Sequence, residues 1–458
     1  MARVFNNTIW SRRADHTPIK MGDLTVTQER TLFVYSDDYL NSGLPGMALL
    51  ASPEAWGDQP VEFKTREGFP VHPRLMSIIP GEGRRNIQRR VFANMLEKMG
   101  KPTTPGFETD WEMALMAGAN TIGHLALFRD DIQAMQWFER PLSTDVVGNR
   151  SKFWKALRED ISLDQTAFDP EVIREYIGPT PTAGGMIPKL LVSIMDPGNG
   201  QWDGGITRPG TPDRLDVILK IEPAEYRDVL TLEKLCLDLH ERAGFEVPRS
   251  WLREIDGLKV LAIERFDRGP NGALRPQETF RSVIATGDRN FISNDDVEMD
   301  TLPGYLEKLG QVCDLDVAAA KKEFYRRYLM AMLTGNGDMH LENVSFLGGS
   351  HGTTLSPVYD PAPMRAWPQH DTRSAIPVDF REGETWPHAI RRLGIAYGYA
   401  PSGWYELVER ALADTASYLE ELMALPIEQP RKDRLAVIVR DMRKEMQDLL
   451  DSGLKKTG

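Results

Sequence analysis

Short runs of strand-forming residues broken by polar ones, Leu24-Thr25-Val26 and Thr31–Tyr35, predict β-structure near the start of the chain. Over 85–99, Ile87, Val91, Phe92, Met95 and Met99 recur at helical spacing until Gly100 and Pro102 stop them. A helix over 110–117 leads into the glycine-bounded turn Gly118–Gly123 and a strand His124–Phe128; a plain connector accounts for that turn. A short helical segment over 165–177 precedes the loop Gly178–Lys189 and the strand Leu190–Met195. The apolar strand 216–221 is interrupted only by Lys220, and the helix 229–243 buries Leu232, Leu235, Cys236 and Leu239. Trp251 opens a hairpin around Asp256-Gly257, whose second strand runs Lys259–Arg268. Past residue 300 the pattern becomes helical, over 316–334, 404–425 and 430–452.

Composition narrows the class without naming it. A chain of 458 residues can hold two or three domains, and its 41% hydrophobic and 27% charged residues are ordinary for a globular protein. Cys236 and Cys313 lie far apart without metal-ligand spacing, so a reducing cytoplasm is expected. No apolar run is long enough to span a bilayer, and no signal-peptide pattern is expected at the start. The net charge of -12 argues against autonomous nucleic-acid binding but not against a DNA-binding partner.

The chemistry concentrates in Leu333–Phe346, LTGNGDMHLENVSF, followed by Val358-Tyr359-Asp360. Glycines on both sides of Asn336 permit a tight loop. Asp338, His340, Asn343 and Asp360 at this spacing suit phosphoryl transfer, in which one carboxylate orients a hydroxyl while an amide and a second carboxylate hold magnesium on phosphates. Upstream, the loop containing Thr180, Thr182 and Gly184-Gly185 ends at Lys189, a composition that can lie over phosphates. Lys220 either sits on an exposed edge or aims into a cleft. Glu233 either pairs with it or simply complements its helix dipole. The strand turning into Glu264-Arg265-Phe266-Asp267 is of the kind that forms a nucleotide hinge, its backbone on adenine and an acid such as Asp267 reaching the ribose.

Glycine-containing loop, strand lysine, helix glutamate, hinge, Asp-x-His-x-x-Asn and Asp follow the order of parts in protein-kinase-like folds, without His-Arg-Asp or Asp-Phe-Gly. LAIERFDR over 261–268, GDMHLEN over 337–343 and VYD over 358–360 resemble the HipA family, bacterial Ser/Thr-kinase toxins of type II toxin–antitoxin pairs. The resemblance extends from about 70 to 450 through Ile79-Pro80, Gly118–Gly123, Pro188-Lys189-Leu190 and GFEVP over 244–248. It implies an α+β, bilobal kinase-like fold: a β-rich N-terminal subdomain (1–145), a β-containing nucleotide-binding part (146–270) and a helical C-terminal lobe (271–458). It implies that Asp338 is the catalytic aspartate, supported by His340, with Asn343 and Asp360 on magnesium and Lys220 on the phosphates of ATP. Glu264 and Phe266 would hold adenine through their backbone, with Ile122 closing over it. Thr182 takes the place of the serine that autophosphorylates in the family, with Thr180 nearby, while Ile187 replaces a glutamine. A HipB-like helix-turn-helix antitoxin is implied as partner, with operator DNA reached only through it and a protein as substrate, an aminoacyl-tRNA synthetase among those the family modifies. A pseudokinase acting by docking and a small-molecule kinase are the competing readings; the latter family places His before Asp, whereas here His340 follows Asp338.

Overall fold

The computed structural model describes residues 3–82, 86–140, 153–155, 157–158, 187–269 and 272–454. The expected helix over 165–177, the glycine pair Gly184-Gly185, Thr180 and Thr182 lie outside the described residues.

The first sheet is an antiparallel meander, β1 (Phe5–Arg12), β2 (Pro18–Val26), β3 (Arg30–Tyr35) and β4 (Val61–Lys64), with β5 (Ala126–Phe128) added beside β1. In β3 exposed or half-exposed positions alternate with buried ones, as expected for a sheet with one face on a core. Phe33, Tyr39, Phe92, Leu96 and Trp111 fill that core beneath the helices Ile87–Lys98 and Phe107–Ala117.

The second sheet, ordered β6 (Lys189–Ile194), β7 (Leu215–Ile221), β9 (Leu258–Glu264) and β8 (Ser250–Ile255), is also antiparallel. Leu219, Ile221, Val260 and Ala262 lie on one face with Trp154 and Trp202. The opposite face carries Leu261 and Ile263 against the helix Val229–Arg242. Because side chains alternate along a strand, Lys220 shares this helix-facing side, and its cross-strand partner is Lys189. Burying Leu230, Leu232 and Leu239 here contributes about 1.5–3 kcal/mol each, enough to hold the helix firmly behind the two lysines.

The rest is helical, apart from a small sheet of β10 (Gln277–Thr279), β11 (Ser345–Leu347) and β12 (Thr354–Leu355). The helix Val317–Thr334 runs through the core with Phe324, Tyr325 and Tyr328 packed against Tyr397 and Trp404. Among the described residues no helix is long and apolar enough to cross a membrane.

Two expected elements end differently. The strand Lys259–Arg268 stops at Glu264, because Arg265 donates its N–H to Asp216 O and its side chain folds back onto Asp267. The helix over 404–425 is two, Pro401–Asp414 and Tyr418–Ala424. Arg443, from the last helix, donates to Leu412 O at 2.9 Å and to Thr415 O at 3.2 Å, satisfying carbonyl groups that end the first of them.

Candidate active site

The loop after the helix Val317–Thr334 is shaped by its glycines. Gly335 takes φ of 79° and ends the helix. A Cβ on Gly337 would lie 2.0 Å from the carbonyl oxygen of Thr372, so only glycine allows this approach. Asn336 Oδ1 accepts the Asp338 N–H at 2.9 Å, and the Asp338 carbonyl accepts from His340 N at 2.8 Å and Asn343 Nδ2 at 2.9 Å. Asn343 is thereby oriented through its amide nitrogen, which leaves Oδ1 as the atom it could offer a cation. His340 Nδ1 accepts from Glu342 N at 3.2 Å, so in the neutral ring the proton sits on Nε2, 4.0 Å from Asp338 Oδ1. Burial raises the Asp338 carboxyl above its ordinary pKa; His340 opposes this and the charge of Asp360 reinforces it.

Asp360 adopts φ of 56°, in the left-handed region. Tyr359 beside it bonds Ser345 Oγ and donates to Glu342 O, each at 2.6 Å, tying this segment to the loop that carries Asp338 and Asn343. Lys220 Nζ lies 2.5 Å from Asp360 Oδ1 and 2.5 Å from Glu233 Oε1, while Lys189 Nζ lies 3.4 Å from Asp360 Oδ2. Lys189, Lys220 and Glu233 are buried, and Asp360 is half-buried between them and solvent. For the Lys220 ammonium, burial is outweighed by Asp360 and Glu233, which keep it charged. Burial alone would raise Asp360, yet Lys189 and Lys220 draw it well below the carboxylate range. Glu233 is raised because burial outweighs Lys220, and its Oε2 has no hydrogen-bond partner among the described residues. The paired alternative for Glu233 is therefore the one the fold adopts, and Lys220 faces inward.

The hinge departs from expectation at Asp267. Its carboxylate is buried and engaged by Arg265 Nε at 2.9 Å and Nη2 at 2.7 Å, Arg268 Nη1 at 2.9 Å and the Gly123 N–H at 2.6 Å. Four donors leave it no role on a ribose; it straps the 118–123 turn to the hinge. Burial opposes ionisation, but Arg265 and Arg268 bring its pKa down to about 2. Arg265 Nη2 also donates to Thr121 O at 2.8 Å, which brings the neighbouring Ile122 to the hinge. The Glu264 carboxylate pairs with Arg249 Nε at 2.7 Å, so any contact to a base must be through its backbone. Phe266 lies half-buried, its ring centroid 5.4 Å from that of Tyr359.

The sequence reading missed Tyr226 and His370. Tyr226 OH and His370 Nε2 are 2.9 Å apart, bridging the segment after β7 and the one after Asp360, and the charge of His370 acts on Asp338. Nothing in the local pattern links residues 144 positions apart.

Among the described residues no group of three or more His, Cys, Asp or Glu side chains is placed to hold a metal alone. Magnesium commonly takes one or two protein oxygens and completes its shell with water and phosphate. Asn343 Oδ1 and the carboxylate of Asp360, which keeps free lone pairs beside its two lysines, fit that donor set.

A strand lysine paired to a helix glutamate, a hinge-like turn after the central strand, and a glycine-shaped loop followed by a half-buried aspartate on that lysine accompany a protein-kinase-like α+β fold. Residues 182–447 match the HipA-like C-terminal domain, and the chain belongs to that family. It is similar to Y4dM of Sinorhizobium fredii, whose name places it provisionally among the kinases, at 28% identity over 35% of this chain and 41% of that protein. It is similar also to the serine/threonine-protein kinase toxin HipA of Shewanella oneidensis, at 29% identity over 35% of this chain and 40% of that one. The matched stretch thus spans about two fifths of the length of these relatives. In the solved complex of HipA, HipB and operator DNA from Shewanella oneidensis MR-1, a chain superposes with a TM-score of 0.61 and 17% identity, covering 96% of this chain and 97% of that one. That likeness carries the fold.

Proposed function

We propose that the chain is an ATP- and magnesium-dependent serine/threonine protein kinase that arrests growth by phosphorylating a host protein. The observation that carries this reading is the Asp360–Lys220–Glu233 chain of charges, aligned beside Asp338 and Asn343. Lys220, with Lys189 beside it, binds the phosphates of ATP. Asn343 and Asp360 hold magnesium, which when bound neutralises charge on the phosphates. Ile122 and the backbone of Glu264 and Phe266 enclose adenine. Asp338 orients the acceptor hydroxyl and takes its proton as the oxygen bonds to the γ-phosphorus and the bond to the ADP oxygen breaks. His340 Nε2 steadies the Asp338 carboxylate. Thr182 and Thr180 are the candidate autophosphorylation sites.

The partner is a HipB-like helix-turn-helix antitoxin. A net charge of -12 suits a toxin that reaches operator DNA only through that partner, and the cytoplasm is the fitting compartment. The reading is tested by incubating the chain with labelled ATP, magnesium and bacterial lysate. A protein band should be labelled by the unaltered chain and not by Asp338→Asn; equal labelling by both would overturn the assignment.

A further inference from the structure

The segment 373–388 forms one side of a groove of about 700 Å³ whose other side is the last helix, Gln429–Leu454. Its floor is aromatic. The rings of Phe380 and Trp386 meet edge to face, centroids 4.8 Å apart, and Phe380 remains 40% exposed. Arg373 joins the two sides through Glu445, its guanidinium nitrogens 3.2 and 3.4 Å from the carboxylate oxygens.

Most charges here are matched within the fold. Glu445 is answered by Arg373, and Glu384 by Arg392 Nε at 3.0 Å. Asp448 is exposed on the last helix at the groove and has no ion-pair partner among the described residues. The groove therefore presents one uncompensated carboxylate above an aromatic shelf. A basic side chain suits it, with the aliphatic stem against the rings and the cationic head at Asp448. A polyanion such as nucleic acid would meet the wrong charge.

Thr372, whose carbonyl sits against Gly337, immediately precedes Arg373. That contact brings one lining residue of the groove, Arg373, beside the loop that carries Asp338.

We propose that this groove docks a basic segment of the protein acceptor whose hydroxyl Asp338 receives. The proposal rests on the protein-kinase reading, so its test uses binding alone. Two fluorescein-labelled decapeptides of equal apolar content, one with Lys-Arg and one with Glu-Glu at its centre, are titrated with the full chain and followed by anisotropy. The Lys-Arg peptide should bind and the Glu-Glu peptide bind at least ten-fold more weakly. Asp448→Lys, an exposed change that leaves the core untouched, should weaken the Lys-Arg peptide at least ten-fold and improve the Glu-Glu peptide. Trp386→Ala should weaken both. Equal affinity for the two peptides, unchanged affinity in Asp448→Lys, or displacement of the Lys-Arg peptide by duplex DNA but not by unlabelled basic peptide would overturn docking. If Asp338→Asn and the unaltered chain label lysate equally while the charge selectivity of the groove persists, the kinase reading fails and the groove stands.

Discussion

Lys189 and Lys220 stand opposite each other on adjacent strands and place both ammonium groups on the single carboxylate of Asp360. Two buried cations side by side repel each other strongly unless an anion lies between them. Asp360 is that anion here, and Glu233 supplies a second behind Lys220. Burial and the Lys220 charge depress Lys189, while Asp360 supports its charged form. Under the proposed function Lys189 and Lys220 would bind the phosphates of ATP, and Asp360 would supply carboxylate oxygens to magnesium.

Removing one member of this chain of charges should cost more than removing two. Lys220→Met leaves Glu233 buried without its cation, a loss of about 3–5 kcal/mol. Adding Glu233→Leu should recover most of that stability, with a coupling above ~1 kcal/mol, while ATP affinity stays at least ten-fold down. Urea unfolding and isothermal titration separate the two effects. Additive losses of stability would contradict a buried ion pair.

Asp267 should reveal itself as a strap. Its carboxylate pKa is depressed to about 2 by Arg265 and Arg268, which outweigh its burial. The stability it contributes is therefore complete above its unfolded pKa of ~3.9 and lost as pH falls toward the folded value. Asp267→Asn leaves the two buried arginines short of a counter-ion and should cost about 3–5 kcal/mol at neutral pH. It should also flatten the acid dependence of unfolding between ~4 and ~2 and weaken nucleotide binding, because Ile122 is no longer held at the hinge. Unchanged nucleotide affinity with lowered stability would confine Asp267 to a purely structural role.

What the sequence showed and hid follows contact distance. Asp338, His340 and Asn343 are bonded within one loop, so glycine placement and spacing expose them directly. The strands around Lys220 are legible from apolar runs, but the choice between a paired and an unpaired Glu233 depends on which side of the sheet the helix Val229–Arg242 lies. Asp267 looked like a ribose ligand because spacing does not show that Arg265 and Arg268 fold back onto its carboxylate, and its fourth donor, the Gly123 N–H, is 144 residues away. The break at Thr415 carries no proline or glycine; it depends on Arg443 from a later helix.

Gly337→Ala tests the close approach of loop and segment. The added methyl meets the Thr372 carbonyl, which is backbone and cannot swing aside. Overpacking of this kind costs about 1–3 kcal/mol, and the shift it forces on Asp338 should lower phosphotransfer at least ten-fold. Gly403→Ala is the control: nothing lies within 4 Å of its Cβ, and it sits in the helix Pro401–Asp414. There alanine should be neutral or stabilise by about 0.5–1 kcal/mol. Thermal unfolding and lysate labelling of both variants decide the matter, and equal activity would show that the loop tolerates displacement.

The pH profile of phosphotransfer should carry the signature of Asp338. Under the proposed function Asp338 takes the hydroxyl proton and must be ionised, so kcat/KM should rise with pH through its pKa. Burial and the nearby Asp360 charge raise that pKa, placing the acid limb above the ~3.9 of an unperturbed aspartate. His340 and His370 act on Asp338 in the opposite direction. His370→Ala removes one of these influences along with the bond to Tyr226, so Asp338 should hold its proton more tightly and the limb move to higher pH. Tyr226→Phe removes the bond but leaves the imidazole, so its limb should move less. Profiles from pH 4.5 to 9 on a lysate acceptor, at saturating magnesium and ATP, distinguish the two variants. A limb that stays in place in His370→Ala would detach His370 from Asp338, and one that moves to lower pH would reverse the sign of the interaction.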